Sequence, residues 1–281
     1  MKKYPWQLTE IPKSKTKIFG EGGKRTKGIL KKKPLFSIIT VVYNGEKFLE
    51  KTITSVINQS CKDFEYIVID GGSTDKSLEI IKKYEKKIDY WVSEKDKGIY
   101  DAFNKGMIVS KGEFIGFINS DDIYKKDALS IISNYIRKNK ATDFIFGSVK
   151  KHWGILHGYK PHKIKYSWGF YSSHSTGFFI KRKAAEKVGF YNIKYKYHAD
   201  YDYFYRLIVK NKMKGISTKK KEVVGIFRRG GFSSKISFWK KLKEDIRIRY
   251  DNGQNILLLI LIFSNKFLRN IDEILKNIIK K

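Results

Sequence analysis

The sequence predicts an α/β protein built on a doubly wound, largely parallel sheet, and three observations lead to this prediction. Continuous apolar runs rich in β-branched residues alternate with segments whose apolar residues recur at helical spacing. The apolar runs lack polar alternation, which is typical of strands covered on both faces. Polar residues and glycines follow the strand ends, where open sheets place their ligands.

The alternation of strands and helices begins after Pro34 and continues to Val149. We expect strands at 35–42, 65–69, 88–92, 113–118 and 143–149, and helices at 46–58, 74–84, 99–109 and 127–137. Parallel strands joined by helical crossovers account for this regular order.

The chain becomes less regular after Lys150, where aromatic and basic residues crowd together. We expect one more strand at 176–180 and helices at 183–187 and 200–210. Gly189 follows the first of these helices and is its expected stop.

Composition divides the chain into three parts. Residues 1–33 are rich in Lys and Gly without periodicity, which indicates a basic extension that is flexible or loosely packed. Residues 34–235 form the predicted domain, with halves at 34–127 and 128–235. Residues 236–281 form a predicted amphipathic helical appendage that either packs on the core or lies in a membrane interface.

Bulk properties limit the class of protein. A length of 281 residues with 41% hydrophobic content suits one enzyme-sized domain with appendages. The single cysteine, Cys61, excludes an intramolecular disulfide framework and suits a reducing cytoplasm. Residues 1–13 lack the apolar segment of a secretory signal, and the run 256–263 is far shorter than the roughly 20 residues of a membrane span. We therefore expect a cytoplasmic protein that is not integral to a membrane.

The formal net charge of +31 has several interpretations. Lysine-rich composition explains it without any function, because the charge is spread along the chain. Nucleic-acid binding is an alternative, but no nucleic-acid motif accompanies the charge, so we expect no such partner. Attraction to an anionic membrane surface, including peripheral attachment at the inner face of the plasma membrane, stays open.

Two acidic groups follow predicted strands. Asp70 precedes two glycines and can accept hydrogen bonds from a nucleobase, or belong to an ordinary turn. Asp121 and Asp122 are adjacent carboxylates, whose repulsion a cation or hydrogen bonds must offset. Mg²⁺ and Mn²⁺ prefer such oxygen ligands together with phosphate oxygens. A diphosphate-bearing ligand is one interpretation, and a solvated helix cap is the other.

Four motifs in order carry a resemblance to a known family. They read FSIITVVYNGEKFLEKTITSVINQS, YIVIDGGSTDKS, SEKDKGIYDAFNKG and FIGFINSDD, between Phe36 and Asp127. This stretch resembles the family 2 glycosyltransferases. The resemblance implies a GT-A type nucleotide-binding sheet with an acceptor-side half, and inverting, metal-dependent transfer from a UDP-, GDP- or dTDP-linked sugar. The acceptor implied is a hydroxyl of a glycan or lipid-linked glycan in surface polysaccharide biosynthesis.

The resemblance also implies roles for individual residues. It places Thr40 and Asn44 near the base and ribose, Asp70 on the base, Asp96 near the nucleotide, Asp121 facing ribose or donor sugar, and Asp122 as the ligand of Mn²⁺ or Mg²⁺. Asp101 and Asn104 lie in the third motif and have two interpretations, support of this pocket or helix capping and packing, of which the second is preferred. His174 and Arg228 fall where such enzymes place acceptor-side and lid contacts.

The segment His198 to Arg206, HADYDYFYR, resembles the family segment that carries the catalytic base. Alignment on Arg206 places the base at Asp200. Ala199 stands where the family often has an acidic residue, so Asp202 stays an alternative. The two carboxylates would lie about 200° apart on a helix, so only one can face the site.

The sequence also bears on how many sugars the protein would transfer and on whether it is an enzyme. The Gln-x-x-Arg-Trp pattern of processive synthases is absent from the sequence, so one sugar per encounter is expected. A catalytically silent relative that binds a nucleotide or glycan is the main alternative to an enzyme.

Overall fold

The computed structural model describes residues 17–29, 33–166, 175–228 and 236–270. Its strands are β1 (Ile18–Gly22), β2 (Phe36–Val42), β3 (Phe64–Asp70), β4 (Tyr90–Glu94), β5 (Phe114–Asn119), β6 (Ile123–Tyr124), β7 (Phe144–Phe146), β8 (Ser148–Lys151), β9 (Gly154–Leu156), β10 (Phe178–Lys181), β11 (Gly215–Ser217) and β12 (Val223–Ile226). Its α-helices are α1 (Glu46–Ile57), α2 (Ser77–Lys83), α3 (Ile99–Val109), α4 (Ala128–Lys138), α5 (Arg182–Val188), α6 (Ala199–Tyr205), α7 (Phe238–Asp251) and α8 (Ile256–Arg269).

Two sheets organise the chain. The larger has the order β1-β4-β3-β2-β5-β10-β7-β11, and its central strands β4, β3, β2 and β5 are parallel. Helices α1, α2 and α4 pack on one face, while α3, α5 and α6 pack on the other. The smaller sheet has the order β6-β12-β8-β9. The predicted doubly wound α/β fold is therefore confirmed.

The central strands are buried on both faces, which accounts for their continuous apolar sequences. Every residue of β2 and β3 is buried, because helices cover both faces of the sheet. Alternate residues point to opposite sides, so Ile39 and Val41 join the core under α3 while Ile38 and Val42 join the core under α1. Helix α3 has the predicted bounds.

The predicted strand 143–149 is two strands, and this prediction was wrong. β7 lies in the large sheet and β8 in the small one, with Gly147 between them. The side chain of Val224 on β12 packs so closely over Gly147 that a Cβ atom there would clash. Glycine thus lets one apolar run leave the first sheet and enter the second.

Two helices, α2 and α6, have a boundary that differs from prediction by more than one residue. Helix α2 begins at Ser77 and not at Thr74, because Thr74 N donates to Asn44 Oδ1 and Asp75 accepts from Glu46 N. The loop is therefore held against the start of α1. Helix α6 ends at Tyr205 and continues over Arg206–Lys210 as a wider π-type turn.

The N-terminal extension was predicted to be flexible or loosely packed, and for residues 17–29 this was wrong. Strand β1 pairs antiparallel with β4 at the edge of the large sheet. Arg25 follows it and forms a buried ion pair with Glu65, whose other oxygen accepts from Ser37 Oγ at 2.5 Å. The same guanidinium donates to the carbonyl of Val109 at 2.6 Å.

Breaking this ion pair should destabilise the fold. We expect Arg25→Met to lower the free energy of unfolding by about 3 kcal/mol, because the carboxylate of Glu65, 3% exposed, would stay buried without its cation. Urea unfolding measures the change. Lys27→Met is the matched control, since Lys27 is 57% exposed in its pair with Glu85 and should cost under about 0.5 kcal/mol. Equal losses in both variants would contradict the buried pair.

The C-terminal part packs on the domain through α7. Leu242 and Ile248 of α7 are buried, and Leu259 and Ile262 of α8 are buried in turn. Within the described ranges no helix is long and apolar enough to cross a bilayer. The predicted appendage is therefore two helices, the first of which is part of the core.

Candidate active site

The candidate site lies beyond the carboxyl ends of β2, β3, β4 and β5, where doubly wound sheets bind ligands. The loops after β2 and β3 are tied together at this edge. Asn44 adopts a left-handed backbone (φ 50°), and its amide N–H donates to Ser73 Oγ at 2.8 Å while its side chain accepts from Thr74 N at 2.9 Å. The space beyond these strand ends is here called the cleft, and Asn44 shapes its rim.

Asp70 lies at the floor of this cleft and is fully buried. One of its oxygens accepts from Ser73 Oγ at 2.5 Å, and the other accepts from Ser93 Oγ at 2.5 Å and from Ser73 N at 3.1 Å. Three hydrogen bonds from protein donors stabilise this buried carboxylate. The residue joins the ends of β3 and β4.

Asp96 faces the glycine that follows Asp70. Its carboxyl lies so close to Gly71 that a Cβ atom there would clash, and it accepts from Gly98 N at 2.9 Å. Burial raises the pKa of Asp96, and the carboxylates of Asp101 and Asp70 add to the shift. The wall of the cleft thus holds an acid whose charge is unfavourable in the folded chain.

This raised pKa predicts that Asp96 costs stability at neutral pH. An Asp whose pKa is higher in the folded state than in the unfolded state destabilises the fold above its unfolded pKa, and the penalty disappears as pH falls below that value. We expect Asp96→Asn to raise the melting temperature at pH 7 and to have less effect in acid.

Melting curves across pH measure this effect. Asp101→Asn is the matched control, because Asp101 accepts from Lys97 N and pairs with Lys105, so its loss should not stabilise the protein. A lower melting temperature for Asp96→Asn at pH 7 would contradict the unfavourable charge.

The adjacent carboxylates after β5 differ in accessibility. Asp122 is fully buried: one oxygen contacts Thr176 Oγ1 and the other accepts from Arg228 N at 3.2 Å. Its backbone carbonyl also accepts from Thr52 at 2.7 Å. Asp121 is 23% exposed and lies 3.6 Å from the Arg228 guanidinium. Asp121 is thus the carboxylate of this pair that meets the cleft, and Asp122 anchors the loop beneath it.

Two cations border this pair, and sequence analysis missed one of them. The Arg228 guanidinium lies 3.4 Å from the ring centroid of Phe48 on α1. Lys151, which was not predicted, ends β8 and lies 4.4 Å from the ring centroid of Phe227. Burial lowers the pKa of Lys151, and the charge of Asp122 opposes this shift. No motif marks Lys151, because pairing of β8 with β12 brings it here.

The structure separates Asp200 from Asp202. Asp202 is 4% exposed; its carboxylate pairs with Arg206 Nε at 2.9 Å and accepts from Asn252 Nδ2 at 2.9 Å. Asp200 lies in the first turn of α6, where its carboxylate accepts from Tyr100 Oη at 3.2 Å. Burial raises the pKa of Tyr100, and the charge of Asp200 adds to it, so the phenol stays a donor at neutral pH.

A single carboxylate from α7 holds the chain just before Asp200. Glu244 accepts the backbone N–H groups of Tyr197 and His198 at 2.7 Å each, and that of Lys196 at 2.8 Å. These groups precede the first turn of α6, where an anion is also favoured by the helix dipole. Glu244 therefore positions the start of the helix that carries Asp200.

Three residues named in the sequence analysis are not brought to this site by the described structure. Thr40 is fully buried with its hydroxyl 2.9 Å from Tyr66 Oη, so the structure places it in the core and not in the cleft. Asn104 bonds the backbone of Tyr191 through both side-chain atoms, as expected for a packing role. His174 lies outside the described residues.

The acidic groups of this site supply too few oxygen atoms to enclose a divalent ion unless a bound ligand supplies more. Among the described residues no cluster of three or more His, Cys, Asp or Glu side chains could enclose a metal. Mg²⁺ and Mn²⁺ often take one or two carboxylates and complete their shell with phosphate oxygens and water. Asp121 at the rim, backed by Asp122, fits this mode of binding.

A doubly wound sheet with acidic residues after its parallel strands is the architecture of GT-A type glycosyltransferases. Residues 37–200 match the sequence profile of glycosyl transferase family 2. The chain belongs to this family.

Named relatives agree with this assignment. A PGL/p-HBAD biosynthesis glycosyltransferase of Mycobacterium bovis BCG is 29% identical over 179 residues, covering 60% of this chain and 68% of the relative. A Bacillus subtilis protein named for teichuronic acid biosynthesis, TuaG, is 39% identical over 100 residues, covering 34% of this chain and 40% of the relative.

Solved structures show the same fold. Staphylococcus aureus TarS 1–349 with UDP-GlcNAc has a TM-score of 0.62 at 18% identity, covering 84% of this chain and 72% of that one. The mannosyltransferase PcManGT of Pyrobaculum calidifontis with GDP-Man and Mn²⁺ has a TM-score of 0.59 at 15% identity, covering 85% and 70%. Identities this low make the likeness one of fold.

Proposed function

We propose that this protein is an inverting, metal-dependent glycosyltransferase that moves one sugar from a nucleotide-sugar donor to a hydroxyl of a glycan or lipid-linked acceptor in surface polysaccharide biosynthesis. One observation carries the proposal: Tyr100, at the start of the helix after β4, donates to Asp200. This contact joins the end of the sheet that holds Asp70 and Asp96 to the carboxylate of the second half.

The donor nucleotide is assigned to the cleft between the loops after β2, β3 and β4. Gly71 lacks a Cβ where the Asp96 carboxyl packs, and Gly72 adopts a left-handed backbone (φ 82°), so this turn brings Asp96 against the end of β3. Asp70 and Asp96 supply acceptors for base and ribose donors. TarS and PcManGT bind UDP-GlcNAc and GDP-Man, which supports a nucleotide-sugar without fixing the nucleotide.

The diphosphate of the donor is assigned to the rim at Asp121. We assign the divalent ion, Mn²⁺ or Mg²⁺, to Asp121 and not to Asp122, because the buried carboxylate of Asp122 already serves Thr176 and Arg228. When bound, the ion neutralises negative charge on the departing diphosphate. Arg228 and Lys151 add positive charge at the same rim.

Asp200 is the proposed general base. A sugar hydroxyl is a weak nucleophile, so a carboxylate within hydrogen-bond reach takes its proton as the oxygen attacks the anomeric carbon. Attack opposite the diphosphate inverts that carbon. Tyr100 and Glu244 hold the base and its helix in place. We assign the reaction to the cytoplasm, with residues 34–127 as the donor half and 128–235 as the acceptor half.

A thermal-shift screen tests the proposal. UDP-, GDP- and dTDP-sugars are added with and without Mn²⁺, because a ligand that binds the native state raises the melting temperature. One nucleotide class should stabilise the protein, and more strongly with the ion. Stabilisation by RNA or DNA alone, with no response to any nucleotide-sugar, would instead favour a nucleic-acid-binding protein.

A further inference from the structure

The last two helices form an antiparallel pair, here the C-terminal hairpin (α7 and α8). The ring of Trp239, near the start of α7, lies 6.0 Å from the ring of Phe267, near the end of α8. Lys266 of α8 pairs with buried Asp245 of α7. The inner side of the hairpin is therefore fixed by both apolar and ionic contacts.

The outer side of α8 is apolar and exposed. Six large side chains, here the apolar stripe, are each more than 40% exposed: Ile256, Leu257, Ile260, Leu261, Phe263 and Leu268. Leu257, Ile260, Leu261 and Leu268 lie on the side opposite buried Leu259 and Ile262, with Ile256 and Phe263 at its edge. No charged residue occurs from 256 to 265. A contiguous apolar face of this kind is unfavourable in water and marks an interaction surface.

The neighbouring helix supplies exposed positive charge. Lys240, Lys243 and Arg247 of α7 are exposed, and Trp239 and Tyr250 are 50% and 66% exposed near its two ends. The acids of α7 serve contacts within the protein: Glu244 binds backbone N–H groups, Asp245 is buried with Arg249, and Asp251 pairs with Lys194. The hairpin thus offers cations and aromatic rings beside an apolar stripe.

We propose that the outer face of the C-terminal hairpin docks on a membrane that contains anionic phospholipids. The apolar stripe extends for about 18 Å from Ile256 to Leu268, along nearly the whole of α8, which suits a helix lying in the plane of the interface. Exposed cations attract anionic headgroups, and Trp and Tyr favour the boundary between headgroup and acyl chain. A second copy is a poorer occupant, because a two-fold contact would set the cations of two +31 chains against each other.

The hairpin that carries this docking surface also contacts the helix of the proposed general base. Asn252, between the two helices, donates to Asp202 of α6, and Glu244 holds the chain before Asp200. Membrane binding would therefore act on the same helix pair that positions Asp200. The inference names a partner of the proposed glycosyltransferase, and its test needs no donor or acceptor.

Vesicle co-sedimentation of the full chain tests the proposal, with phosphatidylcholine vesicles alone or mixed with phosphatidylglycerol. We expect binding to the mixed vesicles that weakens with added salt. The stripe variant, Leu257→Ser with Leu261→Ser, should bind about tenfold more weakly because it loses two partitioning side chains. Ile29→Ser, 59% exposed outside the hairpin, is its matched control and should bind like wild type.

A charge variant separates headgroup attraction from general positive charge. Lys240→Gln with Lys243→Gln should weaken binding to the mixed vesicles about tenfold, whereas Lys138→Gln with Lys140→Gln, exposed on another face, should not. Circular dichroism confirms folding of each variant. Wild-type protein that stays in the supernatant, or a stripe variant that sediments like wild type, would overturn the proposal. So would an oligomer in lipid-free buffer that the stripe variant dissociates.

Discussion

Asp200→Asn is expected to lower kcat about a thousandfold while leaving donor binding almost unchanged. The amide keeps the shape of the side chain and its hydrogen bond with Tyr100, but it cannot accept the proton of the acceptor hydroxyl. Donor binding depends on the opposite half of the cleft. Transfer kinetics with the donor identified by the thermal-shift screen measure the loss, and donor titration measures the binding.

Asp202→Asn is the matched control on the same helix. It weakens the buried ion pair with Arg206, so the protein should lose stability rather than its chemical step. If Asp200→Asn retained full transfer and folded Asp202→Asn lost it, the base would be Asp202. If wild type bound the donor but neither wild type nor Asp200→Asn transferred sugar to any acceptor, a catalytically silent relative would be the better description.

Asp121→Asn should have the second largest effect. We expect kcat/KM to fall about a hundredfold or more, because the substitution removes the negative charge that is proposed to hold the ion at the donor diphosphate. The ion-dependent part of the donor thermal shift should disappear as well. Folding should be little affected, since Asp121 is partly exposed and its pair with Arg228 spans 3.6 Å.

Asp122→Asn distinguishes the two members of the pair. Its carboxylate is buried between Thr176 and the backbone of Arg228, so its replacement should lower the melting temperature even without ligand. A folded Asp122→Asn protein of unchanged melting temperature that no longer responds to Mn²⁺ would show instead that Asp122 is the metal ligand.

Much of the fold was predictable because its signals are local. Continuous apolar runs identified β2, β3 and β5, and helical spacing gave α3 its correct bounds. The prediction of one strand at 143–149 was wrong because strands of both sheets have the same apolar composition. Only the close packing of Val224 on Gly147 reveals that the run is divided between two sheets. No local sequence pattern predicts that β1 pairs with β4, since the Lys- and Gly-rich composition around β1 is typical of a flexible arm.

Site residues were predictable as a group and less so as individuals. The sequence placed Asp70, Asp96 and the acidic pair at strand ends, and the structure has them there, because parallel strands bring their carboxyl ends to one edge; their roles in binding stay predictions. Side chains along a strand alternate between its two faces, and Thr40 lies on the face of β2 where its hydroxyl contacts Tyr66 in the core. Lys151 was missed because its neighbours come from β12.

By itself the sequence determined the doubly wound sheet, the family and the acids that follow the strand ends, because periodicity and short motifs are written in neighbouring residues. Only the tertiary structure decided which acid of each close pair is buried. Burial of Asp122 against Thr176 depends on a segment more than 50 residues away, and burial of Asp202 against Arg206 depends on the turn of one helix, so Asp121 and Asp200 are the more exposed members of the two pairs. The docking of α7 on α6 was decided there too, since Glu244 and Asn252 acquire their partners only when the chain is folded.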